Sequence, residues 1–209
     1  PTLESSGAHR IIHDGQGRAD TYILQPSGDW IHPEQLRELT QNPDSSYTLK
    51  FADTGAWRFH PLDGSPTEGK LDTITDRNLN AMLMGYDGAG RLTQVVDTLG
   101  RPITMTYDGA GRLSTITDFI GRTTVYSYYG AADPLGPQGS LKSVRTPIVV
   151  GTPTGNDFPL GRTTTYTYTT GFADSRLNGN LLTVTDSKGQ TNLQATYAAT
   201  TNPAALEFD

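Results

Sequence analysis

Few residues of this chain are placed to do chemistry. His9 and His13 stand four residues apart. On a helix that spacing makes a metal pair, but the glycine-rich surroundings do not predict a helix, and two ligands are too few for a closed site. They read as surface histidines. The stretch Asp14-Gly15-Gln16-Gly17-Arg18-Ala19-Asp20 has the outline of a calcium loop without its alternating acidic ligands. Asp76, Asp97 and Asp118 recur as a column, which points to a turn role repeated in each unit. A pair of glycosidase carboxylates would instead be a singular departure from the pattern. The chain has no nucleophile elbow, Walker loop or dinucleotide fingerprint. No catalytic residue, metal or cofactor is therefore assigned. What remains are aromatic rings able to stack on sugars, with Trp57, Tyr126, Tyr128, Tyr166 and Tyr168 as candidates.

These residues sit in a repeat. Asp-Gly-Ala-Gly-Arg occurs at 87–91 and again at 108–112, and Asp-Gly-Gln-Gly-Arg at 14–18. Gly69, Gly90 and Gly111 fall 21 residues apart. So do Leu71, Leu92 and Leu113, the apolar column Ile74, Val95 and Ile116, and Tyr86, Tyr107 and Tyr128. A match in several columns at one period is the mark of a repeat array. Gly-Arg recurs at Gly90-Arg91, Gly111-Arg112, Gly121-Arg122 and Gly161-Arg162. These arginines are expected to pair with the repeated Asp or to stack on the repeated Tyr, as Tyr168 also permits. Tyr197 falls one residue late in the last unit, which predicts a bulge or a slip of register.

Each unit reads as two strands and two turns. Arg91 to Asp97 is the first strand and Pro102 to Tyr107 the second, with Ile103, Met105 and Tyr107 on one face. Leu92 and Val95 lie three apart, so regular alternation would send them to opposite faces. Either both faces are partly covered or the strand is bulged. The predicted fold class is all-β: tandem antiparallel hairpins in a curved, twisted sheet, with a β-propeller as the alternative, since two units of 21 fit one blade. Residues 1–68 form an irregular β region with at most one short helix, at Pro33 to Leu39. The array covers 69–198, with insertions at 129–138, 147–160 and 169–178, and 199–209 is a tail continuing into a parent chain. The insertions are the places where specific function is expected.

Composition narrows the partners. The formal net charge is -6, which argues against nucleic acid. Without cysteine, disulfides and thiolate metal sites are excluded. No run approaches the roughly 18 apolar residues of a membrane span, so no membrane insertion is expected. The chain starts with Pro rather than Met and shows no signal peptide, which is the expectation for a piece of a longer protein.

The run Gly-Arg-Leu-x-x-Val-x-Asp-x-x-Gly-Arg-x-x-x-x-x-Tyr-Asp at 90–108 resembles the YD repeat of bacterial Rhs proteins. That repeat is also found in teneurins and in the B and C components of insecticidal toxin complexes. The resemblance implies a sheet that spirals into a hollow shell, enclosing a toxic C-terminal domain in some members and serving extracellular adhesion in others. It also implies secretion or a cell-surface location, and an association with carbohydrate. Self-cleaving members carry Pro-x-x-x-x-Asp-Pro-x-Gly-Leu. Here Asp133-Pro134-Leu135-Gly136 has Tyr128 where the first Pro belongs and Pro137 where the Leu belongs, so it reads as a turn. The leading expectation is a non-catalytic wall segment whose partners are the rest of its parent chain and an enclosed domain. A glycan-binding module is second, and a β-scaffold polysaccharide hydrolase or lyase third.

Overall fold

The structure, a computed structural model, describes residues 1–197. The predicted end of the array at 198 and the tail at 199–209 lie outside the described residues. The chain divides into two compact units, Pro1–Thr104 and a second that begins at Met105. The strands of the first are β1 (Thr2–Ser6), β2 (His9–His13), β3 (Ala19–Leu24), β4 (Trp30–Ile31), β5 (Arg37–Gln41) and β6 (Tyr47–Phe51). They continue with β7 (Ala56–Phe59), β8 (Leu71–Thr75), β9 (Ala81–Tyr86), β10 (Leu92–Val96) and β11 (Pro102–Tyr107), within which the division falls. The second unit adds β12 (Leu113–Thr117), β13 (Thr123–Tyr128), β14 (Leu141–Arg145), β15 (Thr163–Tyr168), β16 (Leu181–Thr185) and β17 (Thr191–Gln194). A 3-10 turn at Ser175–Leu177 is the sole helical element among the described residues.

From β1 to β11 every strand pairs antiparallel with the next. From β12 to β17 the same holds. This is the tandem-hairpin fold. It overturns the propeller alternative, because both ladders run past the four strands at which a blade stops.

The first unit owns the core. Leu3, Ile12, Tyr22, Trp30, Leu39, Tyr47, Leu49, Phe59 and Leu71 are buried together, with Trp57, Ile74 and Met84 packed at the margin. Pairing a strand with its sequence neighbour does not bury anything by itself; a sheet must be covered or rolled. Here it is rolled. Thr2 bridges Lys70, and the Leu3 amide donates to the Gly69 carbonyl at 2.7 Å, just ahead of β8. In a flat ladder β1 and β8 would stand roughly 34 Å apart. The contact is one bridge and one hydrogen bond, and pairing continues through β9, so the unit is not a closed barrel.

The short helix allowed at Pro33 to Leu39 does not form. Residues 33–36 bend and β5 follows. Leu36 is 85% exposed while Leu39 is fully buried between its partners Trp30 and Leu49. Two leucines three apart suggested a helical face, but cross-strand burial of Leu39 imposes the period of two.

Two turn positions separate strain from contact. Leu79 is 83% exposed yet holds φ +66°, a conformation that costs an L residue about 1–2 kcal/mol. Gly69 holds φ +61°, and a Cβ there would stand 1.9 Å from the Leu3 carbonyl oxygen. Leu79→Gly is expected to stabilise the protein by about 1 kcal/mol. Gly69→Ala is expected to destabilise it by about 3 kcal/mol or more, by prising β1 from its seat. Urea unfolding of both variants checks the opposite signs.

Candidate binding surface

The repeat is built from one turn. In Asp87–Arg91 the Asp87 amide donates to the Arg91 carbonyl at 3.0 Å, and the Gly90 amide to the Asp87 carbonyl at 2.8 Å. Asp87 Oδ1 accepts from the amides of Ala89 and Arg91, and Oδ2 from Arg91 Nε at 2.8 Å. Gly90 takes φ +74°, which closes a three-residue loop with a glycine bulge. The same frame recurs at Asp97–Arg101, Asp108–Arg112 and Asp118–Arg122, with Gly100, Gly111 and Gly121 in the left-handed position. Asp76 builds it with Asn80 in place of arginine, and Asp186 with Gln190. Asp14 also holds its loop, but Arg18 turns its guanidinium to Asp20. The calcium-like outline at 14–20 is thus this turn. Asp87 and Asp108 do the same work as Asp97 and Asp118. Successive clamps at 76, 87, 97, 108 and 118 make the 21-residue unit two near-equal halves.

Gly161-Arg162 is different. Thr146 stands where the Asp would, its hydroxyl accepting from the Arg162 amide at 2.9 Å, and Arg162 lies over the Phe158 ring at 3.7 Å. The insertion 147–160 is an enlarged turn between these two residues. Insertion 129–138 is framed in the same way by Tyr129 with Gly139 and Ser140, and 169–178 by Thr169 with Gly179 and Asn180. Lengthening a turn costs little closure entropy once its base is pinned.

Bulges explain the three-residue spacing. Leu92 pairs with Tyr86 and Val95 with Met84, leaving Thr93 as the extra residue. Tyr86 and Met84 are two apart and share a face, so Leu92 and Val95 share it too. Leu71 and Ile74 match Phe59 and Trp57 in the same way. In the second unit Leu141 and Val144 match Tyr128 and Tyr126, and Leu181 and Val184 match Tyr168 and Tyr166. The repeat tyrosines tie this face to the backbone. Tyr86, Tyr128 and Tyr168 donate their hydroxyls to the carbonyls of Leu71, Leu113 and Leu141 at 2.6, 2.8 and 3.0 Å. Tyr107 holds the matching place in β11. Tyr197, one residue late, still reaches the Leu181 carbonyl at 2.7 Å, and a bulge between Thr191 and Leu193 absorbs the slip.

The second unit therefore has two unlike faces. One carries tyrosine, leucine and valine. The other carries paired hydroxyls, Thr117 with Thr123, Ser127 with Ser143 and Thr167 with Thr183, each within 2.9 Å. Of the described hydrophobic side chains in this unit, only Tyr129 is buried. Its hydroxyl donates to the Tyr166 carbonyl at 2.6 Å, and Gly136 of the first insertion lies against its ring. Asp133 accepts from the Gly130 amide and from Lys142 Nζ, so the Asp-Pro-Leu-Gly stretch is pinned as a turn.

Four of the five stacking candidates, Tyr126, Tyr128, Tyr166 and Tyr168, share the open face of the second unit. Trp57 belongs to the first unit, edge-on to Phe51 at 5.1 Å and Phe59 at 6.5 Å. Tyr128 lies under the Arg112 guanidinium at 4.5 Å, and Tyr168 is edge-on to Tyr129 at 6.1 Å. Tyr126 and Tyr166 are half-buried on the open face, opposite Val144 and Val184. His9 and His13 lie on β2, where four residues span about 13 Å, and His13 pairs with Glu4 at 3.1 Å.

Comparison with known proteins adds one finding. The family model described as RHS Repeat matches residues 86–119, so the chain carries the YD/Rhs repeat read from its sequence. No curated protein matches the chain. The matched span contains the clamps at Asp87, Asp97, Asp108 and Asp118.

Those clamps respond to pH. The guanidinium of Arg101, then its amide, hold the Asp97 carboxyl below the usual carboxylate range; the Arg112 amide, then its guanidinium, do so for Asp108. A carboxyl depressed in the folded state stabilises it above the unfolded value of about 4 and loses that effect as pH falls through the folded value. Replacing Asp87, Asp97, Asp108 and Asp118 together by Asn is expected to lower Tm at pH 7. The gap to the parent protein should close at acid pH. Thermal melts across the range check this; an unchanged gap at acid pH would refute the clamp's ionic part.

Proposed function

We propose that this YD/Rhs-repeat chain is a non-catalytic wall segment of a large secreted or cell-surface protein, and that its apolar face lies against a C-terminal toxin or effector domain. Rhs repeats are generally structural, and proteins that carry them are typically extracellular or cell-surface. No helix of the described residues is long and apolar enough to cross a membrane. The observation that carries the reading is the open face of the second unit. Tyr126, Tyr128, Tyr166, Tyr168, Leu141, Val144, Leu181 and Val184 line it and are only half-buried. A contiguous apolar face left partly open is ordinarily covered by a partner. The hydroxyl-bearing face is suited to solvent. Regular turns supply a stiff strip, which fits a structural role.

Limited proteolysis of the parent protein tests this. The domain that follows the repeats should be protected while the repeats are intact. Tyr126→Ser with Tyr166→Ser should expose it without unfolding the strip. A downstream domain cut freely beside intact repeats would sink the proposal. A carbohydrate module is the second reading, favoured by the partly exposed rings of Tyr126 and Tyr166. It requires glycan-array binding that the same double variant abolishes.

A further inference from the structure

The edge of the rolled core of the first unit holds a polar cluster that the wall reading does not use. Asp20 and Tyr22 are two apart on β3 and both face inward. Asp20 receives Arg18 Nε at 2.7 Å and Arg37 at 3.4 Å, with His32 Nε2 3.6 Å away. His32 is buried, and its Nδ1 accepts from the Glu34 amide at 3.1 Å, which leaves the ring proton on Nε2 toward Asp20. Tyr22 stands edge-on to His32 with ring centroids 5.4 Å apart. It is fully buried, and its hydroxyl has no hydrogen-bond partner. Burial pushes its phenol up, and Arg37 lies near enough to pull the other way without a hydrogen bond of ordinary geometry. An unpaired buried hydroxyl is a standing cost that a fold normally removes.

Tyr22, Arg18, Asp20 and Arg37 line a cavity of about 110 Å³, whose apolar wall is Ile12, Leu49 and Trp57. Its hydrogen-bonding inventory is one-sided. Both Asp20 oxygens are engaged by arginine, and Asp14, which also lines the cavity, commits Oδ1 to the amides of its own turn. Apart from Asp14 Oδ2, what remains is donors: the Tyr22 hydroxyl and the N–H groups of Arg18 and Arg37 not given to Asp20, each guanidinium carrying five. A planar oxyanion with a short apolar end matches that set, since guanidinium recognises carboxylate in two-point fashion.

We propose that this cavity is a binding site for a small carboxylate, its oxygens taken by Arg37, Arg18 and the Tyr22 hydroxyl and its carbon end laid against Trp57 and Leu49. The volume admits a two- or three-carbon acid, or the carboxylate terminus of a chain. The site lies wholly in the first unit and stands or falls independently of the wall reading.

Titration of the full chain with sodium acetate at constant ionic strength, followed by NMR of ring-labelled tyrosine, tests it. Tyr22→Phe identifies the Tyr22 signal by its loss. Acetate should shift that signal saturably, and acetamide should bind at least about tenfold more weakly for want of charge. In amide spectra, Tyr22→Phe should weaken acetate by about fivefold and Arg37→Gln by about tenfold or more. Arg37→Lys serves if the Gln variant fails to fold. A tripeptide with a free C-terminus, set against its amide, tells a free acid from a chain end. No saturable shift with either probe, or equal binding of acetate and acetamide, overturns the proposal.

Discussion

A carboxylate that ties down a turn is what the architecture depends on. Each hairpin must reverse in three residues, and reversal leaves amides pointing into the loop with no strand to meet them. The Asp at the base of the turn accepts two of them on one oxygen and the arginine side chain on the other. Glycine supplies the left-handed residue that closes the loop. Because the turn is satisfied internally, it can be repeated indefinitely without help from the rest of the chain. The three insertions show the same logic. They replace the clamp but keep hydrogen bonds at the base, so strand pairing on either side is undisturbed.

A second constraint decides what the ladder is for. Strict alternation would divide Leu and Val, three apart, between the two faces. The bulge after each Leu resets the parity, and the tyrosine hydroxyl accommodates the carbonyl of that Leu. One face gathers tyrosine, leucine and valine, and the other gathers hydroxyls. Without the bulge both faces would be mixed, and neither would be fit to bury.

The two units use this face differently. In the first the sheet rolls until its leading strand meets the backbone ahead of β8, and the apolar face becomes a core. At the edge of that core sit Asp20, His32, Arg37 and an unpaired tyrosine hydroxyl, a polar content that packing alone does not call for. In the second unit the face is half-open, with the first insertion folded against Tyr129 and Tyr168.

The repeat was legible in the sequence because it is local. Asp, Gly and Arg within five residues specify a turn, and the 21-residue columns specify that it recurs. Even the late Tyr197 announced a bulge or slip. The one short helix allowed around Leu36 and Leu39 does not form, because their burial is decided by Trp30 and Leu49 on other strands. The place of Tyr22 beside His32 and Arg37 was likewise out of reach: these residues lie ten and fifteen positions from it, and the register of β3 on β4 and of β4 on β5 brings them together. By itself the sequence determined the turns, the strand order and the repeat, since each rests on hydrogen bonds between near neighbours. The tertiary structure decided which face is buried and which polar side chains share a cavity, since those follow from long-range packing that no local pattern encodes.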